Sequence, residues 1–222
     1  MSDSFWVRSA SWLVALLTPV IIVLAVVRLM INPAILTIEY NLPGFPPDPY
    51  GFTKEDRLYW GRFAVEYLVN DAGIEYLGDL RFPDGSPVYN ERELSHMLDV
   101  KIVVQAAIRV LVVALAVMLL LGGLAWRGGW LSDFKAALAR GGWLTIFLFA
   151  GVILFVVISF GVIFVAFHEV FFTSGTWTFY YSDTLIRMFP ERFWRDMFFC
   201  VSGLSILIAL GIIVGLRRRQ VT

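Results

Sequence analysis

Residues 102–125 read IVVQAAIRVLVVALAVMLLLGGLA, an apolar run in which only Gln105 and Arg109 are strongly polar. Coiled as a helix rising 1.5 Å per residue, such a run crosses the roughly 30 Å hydrocarbon core of a bilayer. Working outward from it, residues 11–31, 143–167 and 197–216 form three more runs of the same kind. The 222 residues are 59% hydrophobic and 16% charged, against roughly 45–50% and about 25% in an ordinary soluble domain. A soluble enzyme is excluded. The expected fold is an all-α membrane protein, a four-helix transmembrane bundle with a small, mainly helical extracytoplasmic subdomain.

Four spans put both termini on one side, and Lys/Arg in the short flanks name that side. Arg8, the loop with Arg127, Lys135 and Arg140, and the tail Arg217, Arg218 and Arg219 all fall together, which predicts cytoplasmic termini in a multi-pass protein of the plasma membrane. The first run is too long, and too poor in a small-residue cleavage site, to read as a removable signal peptide. The layout is then residues 1–31 as cytoplasmic N-terminus and first helix, and 32–100 as extracytoplasmic subdomain. Residues 101–222 form three further helices, with a cytoplasmic loop 126–142 and an extracytoplasmic loop 168–196. The two outer segments hold every acid except Asp3 and Asp133, so the outer face is acidic and any chemistry belongs in the membrane or on that face.

Other classes fall away. One cysteine, Cys200, rules out a structural disulfide within the chain, a CxxC motif and a cysteine-rich metal cluster. The formal charge sums to zero, which argues against a nucleic-acid partner. His168-Glu169 lacks the second histidine of HExxH, and Ser174-Gly175 is not within GxSxG, so neither a zincin nor a serine triad is supported. Gly211 and Gly215 make a GxxxG, a weak signal of close helix contact.

In the subdomain, Pro43-Gly-Phe-Pro-Pro-Asp-Pro49 excludes a helix and reads as extended chain. Thr53 offers an N-cap for a helix to about Asn70, with Leu58, Phe63, Val65 and Leu68 on an apolar face and Arg57, Arg62 and Glu66 near the polar side. Leu80-Arg-Phe82 before the turn signal Pro83-Asp-Gly-Ser86 predicts a short hairpin. Asn90-Glu-Arg-Glu93 is a capping box that starts a helix continuing into the second span.

The two histidines, His96 and His168, each fall where a span meets the outer surface. The second and third spans are antiparallel across a short loop, which lets the imidazoles face each other; with a reference pKa of about 6.5 they suit acid/base work. An interfacial histidine is also at home near head groups with no further role. Arg92, Glu93 and Asp99 share the helix face of His96, where a carboxylate would fix its tautomer, although Glu93 also serves the capping box. Lys101, Gln105 and Arg109 form a polar stripe at four-residue spacing, costly at membrane depth and expected to face a wet cavity; Lys101 and Arg28 also suit snorkelling. Beyond Glu169, the aromatic segment from Phe171 to Phe179 with Trp177, then Asp183 and Arg187, is what a site for acyl chains beside a polar head needs, or else an aromatic belt.

Asn90-Glu-Arg-Glu-Leu-Ser-His-Met-Leu-Asp-Val-Lys101, and Phe167-His-Glu-Val-Phe-Phe172 followed by Trp177, Asp183 and Phe189-Pro-Glu-Arg-Phe193, resemble the lipoprotein intramolecular transacylases, four-span bacterial membrane proteins. The likeness covers the layout of nearly the whole chain, with its specific part in these two segments. It implies transfer of the sn-2 acyl chain of a lipoprotein's diacylglyceryl cysteine to that cysteine's α-amino group, giving the lyso form. It implies His96 and His168 as the catalytic pair, the first in an H-x-x-D-V-K context and the second in an F-H context. The chain departs from the family where Ser174-Gly-Thr176 stands in place of Asn-Asp before the tryptophan; if those positions shape the substrate site, a different acyl donor or acceptor follows.

The leading reading is therefore an O-to-N acyl transfer in which one histidine takes the amine proton and the other, with Arg109 or Arg187, steadies the oxyanion. Asp99, Lys101, Glu169, Trp177 and Asp183 support the site or bind substrate. No metal or other cofactor is needed, and the partners are membrane lipids and a diacylglyceryl-modified lipoprotein. The sequence leaves open which histidine is the base and whether the protein oligomerises. The rival is a non-catalytic envelope protein that binds a lipid or protein through the outer subdomain; a divalent-metal site on the two histidines and nearby carboxylates is a third option.

Overall fold

The computed structural model describes residues 5–173 and 175–218. Asp3, Ser174 and Arg219, used above, lie outside the described residues, as do the side chains of Arg217 and Arg218. The chain order is α1 (Phe5–Met30), α2 (Pro33–Tyr40), α3 (Lys54–Tyr67), α4 (Glu75–Gly78), α5 (Glu91–Arg127), α6 (Leu131–Phe171), α7 (Thr184–Met188) and α8 (Glu191–Arg218). No strand occurs among the described residues, and α1, α5, α6 and α8 are long and apolar enough to cross a membrane. Only 11–28% of their most apolar windows is buried inside the chain, which leaves most of each helix surface for lipid contact.

Contacts divide the chain into two compact units. The first holds residues up to Arg28, Ala107–Ile158 and residues from Phe198 onward; the second holds Leu29–Ala106 and Ser159–Met197. Between them α6 leaves helical geometry once, at Ser159.

In the first unit small residues set the packing. A Cβ on Gly141 of α6 would come within 2.7 Å of the Ala15 carbonyl oxygen of α1, and closer still to Thr18. That carbonyl is the one that Pro19, four residues on, cannot bond because it has no N–H. Gly142 stands against Ile213 and Ala209 of α8 in the same way, and Gly122 of α5 against Phe134. The GxxxG signal is corrected here: nothing lies within 4 Å of a Cβ placed on Gly211 or Gly215, because the residues that meet α6 are on the opposite side of α8.

The second unit has a core of Leu36, Tyr40, Ala64, Val65, Tyr67, Leu77, Val88, Tyr89, Met97, Leu185, Met188, Phe189 and Phe193. Asn32 caps α2 by accepting the Ala34 N–H at 2.9 Å, and Pro33 stands at its first helical position. Thr53 caps α3 in a box with Asp56. Two expectations change. Arg57, placed on the polar side of α3, is 5% exposed, because residues 57, 61, 64 and 65 form the inward face and its guanidinium donates to the Pro46 carbonyl at 2.7 Å. The hairpin reduces to one bridge, Arg81 to Pro87, around Gly85 at φ +84; α4 and the Asn90 cap stand too close on either side for strands to extend.

Candidate active site

Local rules at the start of α5 place His96. Asn90 Oδ1 accepts the Glu93 N–H at 3.1 Å, and Glu93 Oε2 accepts the Asn90 N–H at 2.9 Å. The other Glu93 oxygen accepts the Leu185 N–H of α7 at 2.7 Å, and the side chain is 1% exposed. Both carboxylate oxygens are thus committed and neither fixes the histidine tautomer. His96, 9% exposed, has a buried Nδ1 with no hydrogen-bond partner among the described residues.

His168 sits in the last turn of α6, where its Nδ1 lies 2.7 Å from the Phe164 carbonyl oxygen. A carbonyl can only accept, so in the neutral ring Nδ1 carries the proton and Nε2 keeps the lone pair. That is the form a general base requires.

The two imidazoles lie with centroids 6.3 Å apart and planes 22° from parallel. A ring nitrogen is only about 1.2 Å from its centroid, so the nitrogens stay roughly 4 Å or more apart, beyond a direct hydrogen bond but within reach of one bridging atom. Aromatic rings enclose the pair. Phe172 is 5.1 Å from His96 and 5.6 Å from His168, Phe179 is 5.3 Å from His96, and Trp177 is 4.8 Å from His168. Charge that develops among such rings is screened less than in water. The Trp177 Nε1 is buried without a partner among the described residues, and an unmet buried donor costs about 1–3 kcal/mol.

Asp183 ties this aromatic segment to α5. Its carboxylate accepts from Arg92 Nη2 at 2.6 Å, from Asn90 Nδ2 at 3.2 Å and from the Tyr180 N–H at 2.8 Å. The Arg92 guanidinium also covers the rings of Phe179 and Tyr180. Arg92 was visible in sequence only as a neighbour of His96; its partner is 91 positions away. Phe164, four residues before His168 on the same helix, was findable from helical spacing alone.

The remaining named residues go elsewhere. Lys101 donates to Asn70 Oδ1 at 3.1 Å and to the Ala72 carbonyl at 2.5 Å, lying 4.0 Å over the Tyr67 ring, and Gln105 donates to the Asn70 carbonyl at 3.2 Å. Together they clamp the 70–72 turn to α5. Arg187 donates twice to Asp48 Oδ2, at 3.0 and 2.9 Å, and to the Tyr50 carbonyl at 3.1 Å, with its guanidinium carbon 3.4 Å from the centre of the Phe52 ring. Burial works against the Asp48 carboxylate, but the Phe52 N–H and the Arg187 guanidinium outweigh it and hold its pKa below the usual range. Arg109 is exposed and belongs to the first unit. Asp99 is half-buried and Glu169 exposed; neither hydrogen-bonds an imidazole. Among the described residues no group of three or more His, Cys, Asp or Glu side chains is arranged to hold a metal ion.

The family model of the lipoprotein intramolecular transacylase Lit matches residues 12–194, a stretch that contains both histidines. A protein of Aquifex aeolicus (strain VF5), described as uncharacterized, is 30% identical over 187 residues, 82% of this chain and 82% of that one. Among solved structures, the chain is similar to the membrane integral lipoprotein intramolecular transacylase Lit from Bacillus cereus, with a TM-score of 0.79, 19% identity and 97% of both chains covered. A form of that protein with a histidine-to-arginine substitution gives a TM-score of 0.73 at 19% identity, covering 97% of this chain and 93% of that one. At this identity the structural likeness speaks for the fold.

Proposed function

From membership of the lipoprotein intramolecular transacylase (Lit) family, to which this chain belongs, we propose that it moves the sn-2 acyl chain of a lipoprotein's diacylglyceryl cysteine onto the α-amino group of the same cysteine. It is an integral membrane protein, and in this reading both termini are cytoplasmic and the second unit works on the extracytoplasmic side. Arg127 at the end of α5 and Lys135 and Arg140 in the first turns of α6 support that orientation. The observation that carries the reading is the pair of imidazoles, 6.3 Å apart inside a box of aromatic rings.

His168 is the base in this proposal. Its Nδ1–H donates to the Phe164 carbonyl, which leaves the Nε2 lone pair to take the proton of the attacking amine. His96 faces it across a gap that one bridging atom fills, takes that proton over from the His168 imidazolium and passes it to the departing glyceryl oxygen. Such acid/base help is worth about 10²–10⁴ in rate. Donor and acceptor belong to one molecule, so proximity comes with the substrate, and neither a nucleophilic serine nor a metal ion is used. The Phe172, Phe179 and Trp177 rings give the ester an apolar surface to enter along.

The test is purified protein in lipid vesicles with a diacylglyceryl lipopeptide, with tandem mass spectrometry locating the acyl chain. Many turnovers per enzyme to the N-acyl lyso form, undiminished after chelation and with metal below stoichiometric amounts by elemental analysis, are the expected outcome. Binding of one lipopeptide per protein without conversion overturns the reading in favour of a non-catalytic envelope protein.

A further inference from the structure

We propose that the indole N–H of Trp177 is the donor that holds the oxyanion of the acyl-transfer intermediate, a role that rests on the transacylase reading above. Two arginines named for it from sequence are not at the histidines: Arg187 is spent on Asp48 and the Tyr50 carbonyl, and Arg109 is an exposed residue of the other unit. Arg92 lies over Phe179 and Tyr180 and pairs with Asp183 through Nη2; its Nε is buried without a partner among the described residues. Trp177 differs in that its ring packs directly against an imidazole. Its ring centroid lies 4.8 Å from that of His168, the planes 35° apart, and its Nε1 is buried with no partner among the described residues. Indole nitrogen donates and cannot accept, so the group it awaits carries a lone pair. An oxyanion hole has this character: a donor aimed where charge will develop and unused until it does.

The backbone before Trp177 is built to hold it there. The Thr176 N–H and hydroxyl both return to the Thr173 carbonyl, at 3.2 and 2.9 Å, and the Thr178 hydroxyl donates to the Gly175 carbonyl at 3.2 Å. The reversal uses φ +87 at Gly175, a conformation that favours glycine.

The step balances within the substrate. The amine lone pair forms the C–N bond at the ester carbonyl carbon while its proton passes to His168 Nε2. The carbonyl π pair moves onto oxygen, which accepts the Trp177 N–H. Collapse restores the C=O and breaks the bond to the glyceryl oxygen, which leaves with its electron pair and is protonated by imidazolium.

The experiment replaces Trp177 with benzothienylalanine, which keeps the bicyclic ring and exchanges N–H for sulfur, alongside Trp177→Phe, in the vesicle assay with wild type in parallel. The expected result is a kcat lower by about 10²-fold in both variants, with KM within about threefold of wild type and an unchanged melting temperature. A benzothienylalanine protein with wild-type kcat overturns the assignment, as does a rise in KM alone, or a loss of kcat matched by a fall in melting temperature in both variants. Wild type that moves no acyl chain sinks the transacylase reading itself, a result separable from failure of the Trp177 role in an active enzyme.

Discussion

In the first unit Gly141 stands tight against the Ala15 carbonyl and Thr18, and two threonine hydroxyls bond within their own helix, Thr18 to the Val14 carbonyl and Thr145 to the Gly141 carbonyl. The second unit is held by side chains that reach across the sequence: Glu93 to Leu185, Arg92 to Asp183, Arg187 to Asp48 and Tyr40 to the Met188 carbonyl. Lipid tails are as apolar as leucine, so a bundle gains by close packing of small residues and many sequences satisfy it. A buried ion pair or shared carboxylate tolerates little displacement, and a site that must place two imidazoles and a donor to within about 0.5 Å needs such supports. Both histidines belong to the second kind of structure.

Cutting one of its long-range ties is the strongest way to sharpen this contrast. Asp183→Ala removes the acceptor shared by Arg92, Asn90 and the Tyr180 N–H and frees the aromatic segment; acyl transfer should fall by about 10–100-fold, with helical content by circular dichroism unchanged. Asp183→Asn should recover part of the loss through its remaining carbonyl oxygen. Activity untouched by Asp183→Ala would show that the segment is positioned without this tie. In the bundle the expected effect is on stability. Gly141→Leu should lower it by about 1–3 kcal/mol through overpacking against α1, while Gly211→Ala should stay within about 0.5 kcal/mol; thermal melts in detergent decide, and the reverse order breaks the packing account.

The smallest expected effect is a pH dependence. Glu39, 2% exposed, has its carboxyl pKa raised to about 7 by burial and by the neighbouring Asp196 carboxylate, against the opposing pull of Arg192. A carboxyl raised on folding lends stability that is fully present below its unfolded value, 4.5, and lost as pH rises through its folded one. The melting temperature should therefore fall by a few degrees between pH 5 and 8, and Glu39→Gln should flatten that slope. An unaltered slope in the variant assigns it to other groups.

What was legible in sequence followed from local rules. The four spans came from hydropathy, the start of α5 from Asn90 and Glu93, and the adjacency of His96 and His168 from two antiparallel helices. The α2 helix was missed although Asn32-Pro33 is a cap followed by a first-turn proline. The second bond of Glu93, the commitment of Arg187 to Asp48 and the burial of Arg57 were not legible, because each depends on a partner that only the folded second unit brings near. The same holds for the unmet Trp177 N–H, since an absent partner has no local signature.

The central claim is that the facing imidazoles perform the chemistry, and the most direct measurement is the rate of O-to-N acyl migration in vesicles by wild type, His96→Asn, His168→Asn and the double variant, at matched melting temperatures. The expected result is a loss of at least about 10²-fold for each single variant, with the double scarcely worse than His168→Asn because the two act as a unit. A double variant that still converts the diacyl lipopeptide to its lyso form within about threefold of wild type would contradict the claim.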